Sequence, residues 1–168
     1  MKTISLSIFI LMSHFAVAQH FTKEKKEIQR VVWQFRESII KKDSATFNRL
    51  FHENPVVWIG VVKNRSQQKR LEINPANRKN YFKDTYENFF RYIMEKGGKE
   101  EKFDKIRIIN DDVIASVSFD YSFLEENTVT NWGSEYWHLI KADGKWKIVS
   151  VIYSYENAKF FPALNKRK

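Results

Sequence analysis

The sequence predicts an α+β fold in which three N-terminal helices pack into a strongly curved antiparallel sheet. Three observations point there. Up to about Lys96, apolar residues recur mainly at three- and four-residue spacing; from Phe103 onward the period falls to two, across four runs rich in β-branched and aromatic residues. Only a few turn-forming residues separate those runs, and connections that short join antiparallel neighbours. The chain's 168 residues, 43% hydrophobic and 15% aromatic, suit one domain with a core of its own.

From Lys23 to Lys42, Ile28, Val31, Val32, Phe35 and Ile39 line one helical face and charged residues the other. Asp43 is placed to cap a second, short helix carrying Phe47, Leu50 and Phe51, because its carboxylate can accept from first-turn amides. Asn54-Pro55 ends that helix, and "VVWIGVV" (56–62) is a buried strand. The polar stretch from Lys63 to Asn77 has no apolar period and is expected to form a long loop or hairpin tip. A third helix is predicted from about Arg78 to Lys96, with Phe82, Tyr86, Phe89, Phe90 and Ile93 inward and Gly97-Gly98 as its stop. Strands follow at 103–110, 113–124, 129–140 and 146–156, separated at Asn110-Asp111-Asp112, Glu125-Glu126-Asn127 and Asp143-Gly144.

The first 18 residues have the pattern of an export leader: Lys2, an apolar stretch from Ile4 to Met12, and Ala16-Val17-Ala18 ahead of a cleavage point. That stretch is shorter than the roughly 20 residues of a spanning helix. The mature domain is therefore expected to be 19–168, exported, with its core at about 23–156. The sequence has no cysteine, which rules out disulfides, thiolate metal sites and a cysteine nucleophile and fits a bacterial periplasm. The formal charge of +9 is dispersed over the first helix, "KNRSQQKR" (63–70) and the terminal "KRK" (166–168). A nucleic-acid partner is not expected; contact with an anionic membrane surface, as by an envelope-associated interaction module that works through its basic surface, is a weaker expectation.

"DGKWKIVSVIYS" (143–154), preceded by "WGSEYWHLIK" (132–141), resembles the terminal hairpin of the nuclear transport factor 2-like (NTF2-like) superfamily, closest to exported members of its SnoaL-like and putative lumazine-binding branches. The likeness spans about residues 23–156, including "KKDSATFNRLFHEN" between the first two helices. It implies a cone with a central pocket, used within the superfamily for isomerases, dehydratases and binding proteins alike. The isomerase branch would place an acid on the first strand and a tyrosine on the first helix. Here Trp58-Ile59 and Trp33 stand in those places, so isomerase chemistry is not expected.

Strand parity selects the residues facing the pocket. A three-residue loop over Ala142-Asp143-Gly144 would face Lys141 with Lys145 and turn Gly133, Glu135, Trp137 and Leu139 inward with Val149, Val151 and Tyr153. A two-residue Asp-Gly turn would bring in Tyr136 and His138 instead. The first is the expected form, leaving Glu135 as the pocket carboxylate and His138 outside. Aromatic residues from several elements, Trp33, Trp58, Tyr121, Trp132, Trp137 and Tyr153, would complete a pocket for a small, partly aromatic or apolar ligand. If the protein is an enzyme, Glu135 or Asp120 would do the acid-base work. No metal or other cofactor is expected, because Glu135 and His138 lack ligand spacing and a third partner. Trp146, Ile148, Ile152, Tyr136 and Ile140 are expected on the outer sheet face, through which the resemblance implies a homodimer.

Overall fold

The computed structural model describes residues 4–163, with side chains from Lys23 onward. The expected leader and its cleavage point fall before those side chains, and the terminal "KRK" lies outside the described residues. No helix among the described residues is long and apolar enough to cross a membrane.

Helix α1 (Ile4–Lys41) buries the five apolar residues of its predicted stripe. Lys42 ends it in the left-handed region (φ 54°), and the Asp43 amide turns back onto the Ser38 carbonyl at 2.9 Å. The Asp43 carboxylate then accepts from the Thr46 amide at 2.9 Å, capping α2 (Ser44–Arg49). After β1 (Val57–Val62) the predicted polar loop is instead a helix, α3 (Asn64–Ile73). Tertiary bonds hold it where no apolar stripe does: Arg65 pairs with the buried Glu156 at 2.7 Å, and the Ser66 hydroxyl donates to the same carboxylate. The third predicted helix is shorter than expected. Its first part is strand β2 (Tyr81–Lys83), and α4 (Tyr86–Met94) begins at Thr85, whose hydroxyl accepts from the Asn88 amide.

Four long strands complete the fold: β3 (Lys99–Asn110), β4 (Ile114–Glu125), β5 (Thr128–Ala142) and β6 (Lys145–Asn157). The sheet order is β2-β1-β6-β5-β4-β3, with β1 and β6 parallel and the other neighbours antiparallel. The β5–β6 turn is the two-residue form, not the three-residue loop. Asp143 and Gly144 are both left-handed (φ 48° and 71°) and Ala142 faces Lys145, a geometry that matches strand twist.

That turn alone would have turned Glu135 outward. Leu139 pairs with Ile148 but His138 with Ser150, so Val149 is an unpaired extra residue and the parity of β6 reverses there. Trp146 and Ile148 are consequently buried core rather than outer-face residues, and Val149 leaves the inward set. Beyond the bulge, Trp137 faces Val151 and Glu135 faces Tyr153.

The concave face of the sheet meets the helices through aromatic rings. Phe35 and Trp137 lie 4.8 Å apart, Phe47 and Phe90 4.5 Å, Phe103 and Phe119 4.3 Å. A bend in β5 shapes the far end of this core. Between the Trp132–Glu156 and Glu135–Tyr153 pairs the ladder is interrupted at Gly133 and Ser134. A Cβ on Gly133 would stand 1.9 Å from the Ser154 carbonyl oxygen, so only glycine fits. Side chains serve the freed backbone groups: the Ser134 amide donates to Ser154 Oγ at 3.0 Å, and the Tyr121 hydroxyl to the Ser154 carbonyl at 3.0 Å.

Candidate functional site

Next to that bend the core opens into a cavity of about 240 Å³. Trp58 from β1, Tyr121 and Phe123 from β4, and Tyr153 and Tyr155 from β6 form its sheet side; Phe82 from β2, Asp84 from the link that follows it, and Asn88, Phe89 and Tyr92 from α4 close it. Asn131 and Glu135 from β5 and Glu101 from β3 complete the wall, with Glu101 and Glu135 buried to 4% and 3% exposure. Among the residues lining it there is no lysine, arginine or histidine.

The two carboxyls hydrogen-bond to each other although β4 runs between their strands; the curvature of the sheet brings them together. The Trp137 indole N–H donates to Glu135 Oε1 at 2.5 Å. An indole can only donate, so Glu135 accepts from it; the bond between the carboxyls raises Glu101 and lowers Glu135, which makes Glu101 the holder of the shared proton. Burial raises both carboxyls above the ordinary range, and the facing charge of Glu135 raises Glu101 further. Burial also raises the phenols of Tyr121 and Tyr153, with the pair's negative charge adding to it. The Trp58 and Tyr153 rings meet edge to face along the wall, with centroids 6.5 Å apart.

Of the residues expected here, Trp58, Tyr121, Glu135 and Tyr153 line the cavity. Trp137 lies behind Glu135, fully buried, and reaches the cavity only through its N–H. Trp33 and Trp132 do not belong to the site. Trp33 falls off the apolar stripe of α1 and is 57% exposed. Trp132 precedes the bend: its N–H donates to the Phe161 carbonyl at 2.8 Å, and Lys63 and Arg65 stack on its ring.

Asp120 is also outside. Inward positions on β4 are the odd-numbered Val117, Phe119, Tyr121 and Phe123, so Asp120 points to the convex face, where Lys105 pairs with it at 2.9 Å and Ser134 donates to it. His138 shares that face, and no cluster of metal-ligating side chains occurs among the described residues.

Glu101 was not foreseen. It sits in the charged run "KEEKFDKI", and its one sequence signal is two-residue alternation with Phe103, which places both on the same face.

No family model matches the chain, and no curated protein matches it in sequence. Solved structures do match. A scytalone dehydratase-like protein of Novosphingobium aromaticivorans is 15% identical with a TM-score of 0.61, over 83% of this chain and 88% of that one. An NTF2-like protein with a cystatin-like fold from the same organism is 10% identical with a TM-score of 0.60, over 92% and 91%. An NTF2-like protein of unknown function from Pseudomonas putida KT2440 is 10% identical with a TM-score of 0.58, over 88% and 97%. At such identities the likeness bears on architecture, and in architecture this chain is an NTF2-like α+β cone.

Proposed function

We propose that the protein binds a small, partly aromatic or apolar ligand in the cavity between Trp58, Tyr121, Tyr153 and the Glu101–Glu135 pair. The observation that supports this is an aromatic-walled opening of about 240 Å³ with two convergent carboxyls, next to a core rich in aromatic rings. Flat faces stack on a planar body while a few polar groups fix its orientation. The test is a thermal-shift screen with planar heterocycles and apolar metabolites, read in parallel by tryptophan emission, since Trp58 is in the wall. Binders should raise the melting temperature and change the emission; a broad panel without one would overturn the proposal.

One observation favours a second reading, acid-base catalysis. Glu135 is buried, faces the cavity and has a carboxyl raised by burial, as a group that exchanges protons near neutral pH requires. Under that reading Glu101 is its proton partner and Asp120 has no part. Turnover of a bound ligand that Glu135→Gln abolishes without loss of binding would establish it; unchanged turnover in that variant would remove it.

The reading also has the mature chain exported after cleavage behind Ala18 and paired as a homodimer through the convex sheet face. Tyr136, Ile114 and Ile152 are exposed there at 56%, 58% and 37%, an apolar patch on a strongly charged protein. Light scattering should give twice the chain mass for the mature protein and the single mass for Tyr136→Lys. A monomer at both would remove the dimer, and an intact leader in the exported protein would remove the cleavage.

A further inference from the structure

Taking the cavity as a ligand site, we propose that its ligand is an organic cation: an ammonium group, on a body about one ring in size, that docks against the Glu101–Glu135 carboxyl pair.

The buried carboxylates elsewhere in this protein have cationic partners. Glu24 meets Lys141 Nζ at 2.8 Å, and Glu156 meets Arg65 Nε at 2.7 Å. Glu101 and Glu135 are buried as well, yet their hydrogen-bond partners are each other and, for Glu135, an indole N–H, and no cation. Lys99 shares a strand face with Glu101 and could have reached it, but its ammonium stands over the Tyr92 ring at 4.5 Å from the centroid. Buried charge calls for a counter-ion, and here the open side of the carboxyl pair is the cavity.

The rest of the wall favours a cation too. Aromatic faces carry the negative side of the ring quadrupole, and Trp58, Phe89 and Tyr153 present rings to a space that no lysine, arginine or histidine enters. An anionic ligand would meet the carboxyl pair and Asp84 at the mouth. The volume of about 240 Å³ corresponds to about eight water molecules at their share of the liquid, enough for a single-ring body with a short amine arm.

Proton balance gives the proposal a signature. Facing the pair are Tyr121 on β4, Tyr153 and Tyr155 on β6, Tyr92 on α4 and Asp84 ahead of α4. Burial raises all four phenols, so they stay neutral at physiological pH and the carboxyl pair is the group able to exchange a proton. When an ammonium ion arrives, Glu101 loses the shared proton to solvent, the ligand keeps its own, and the positive charge replaces the proton between the two carboxylates. Affinity for the cation therefore rises with pH until the ligand's amine itself deprotonates.

The experiment is calorimetric titration of the intact mature chain with three matched probes, 2-phenylethylammonium, 2-phenylethanol and 3-phenylpropionate. It is run at mildly acidic and mildly alkaline pH in two buffers that differ in protonation heat. The ammonium should bind about tenfold tighter than the alcohol or better, and the carboxylate more weakly than either. Ammonium binding should also strengthen with pH and release a proton. The Glu101→Gln, Glu135→Gln double variant should lose the preference and the proton release while still binding the alcohol. Equal or tighter binding of the alcohol, or no proton release, would overturn the cation while leaving the cavity a ligand site. If none of the three binds but a neutral member of the broader screen does, the cation alone falls; if nothing binds, both proposals fall.

Discussion

Glu135 stands across the β5–β6 ladder from Tyr153 because Val149, nearer the turn, is left out of that ladder. The two-residue Asp143–Gly144 turn and the Val149 bulge each reverse the parity, and together they return Glu135 and Trp137 to the concave face. Deleting Val149 would leave one reversal uncompensated, so either Trp146 and Ile148 or Trp137 and Val151 would have to turn outward. The deletion should cost more than about 4 kcal/mol, the range of gross core disruption, and abolish cooperative urea unfolding followed by tryptophan fluorescence. Val149→Ala, which keeps the residue count, should cost about 1 kcal/mol and unfold cooperatively. Equal effects of the two changes would show that the bulge does not set the parity.

The carboxyl pair predicts a particular dependence of stability on pH. Burial raises both groups, so between the ordinary glutamate value of about 4.3 and their native values the folded chain holds more protons than the unfolded one. Stability then falls as pH rises. The contribution is complete below the ordinary value and is lost as pH climbs through the native ones, at up to about 1.4 kcal/mol per pH unit for each proton retained. Melting temperatures measured from mildly acidic to mildly alkaline pH should decline in the wild type and decline less in Glu101→Gln and Glu135→Gln. A wild-type curve that rises over this range would contradict the assignment.

The parts of the fold that the sequence revealed are those where one periodicity governs a whole element. The stripe from Ile28 to Ile39, the Asp43 cap and the alternation along β4 and β5 each follow from local spacing, and the structure contains them, whereas the Val149 bulge breaks the alternation of β6. Helix α3 escaped because it has no apolar stripe: Leu71 and Ile73 are exposed, and its anchor, Glu156, comes from a strand ninety residues later. Half of the carboxyl pair escaped for a similar reason. Glu135 stood out among aromatics, whereas Glu101 lay in a run of charges and meets Glu135 only through curvature two strands away. Trp33 was drawn into the expected site by residue type, although its helical position had already placed it off the buried face.

Two glycines should respond differently to alanine. A Cβ on Gly60 would meet the tip of the Phe82 ring at 2.3 Å, and Phe82 is a partly exposed side chain that can swing aside. Gly60→Ala should therefore leave stability within about 1 kcal/mol while displacing one wall of the cavity, weakening any ligand found in the screen. A Cβ on Gly133 would meet the Ser154 carbonyl, backbone that also accepts from Tyr121 and cannot move alone. Gly133→Ala should cost about 3 kcal/mol or more by chemical denaturation. Equal costs would mean that the β5 bend does not depend on that close approach.

Glu24 ties α1 to the closing hairpin: its carboxylate accepts from Lys141 Nζ at 2.8 Å and from the Trp146 indole at 2.9 Å. Glu24 is fully buried, whereas Lys141 keeps 20% of its side chain exposed and has Glu27 3.6 Å away as a further partner. The asymmetry fixes an order of effects. Lys141→Met removes the cation beside a buried carboxylate and should cost about 3–5 kcal/mol. Glu24→Gln keeps an acceptor for Trp146 and leaves Lys141 near Glu27 and solvent, so it should cost about 1–2 kcal/mol. The double variant should recover part of the Lys141→Met loss, because the uncompensated charge is then gone. Urea denaturation of the three variants checks the order. A larger loss for Glu24→Gln than for Lys141→Met would mean that the hydrogen bonds the carboxylate accepts matter more than its neutralisation by the cation where helix and hairpin meet.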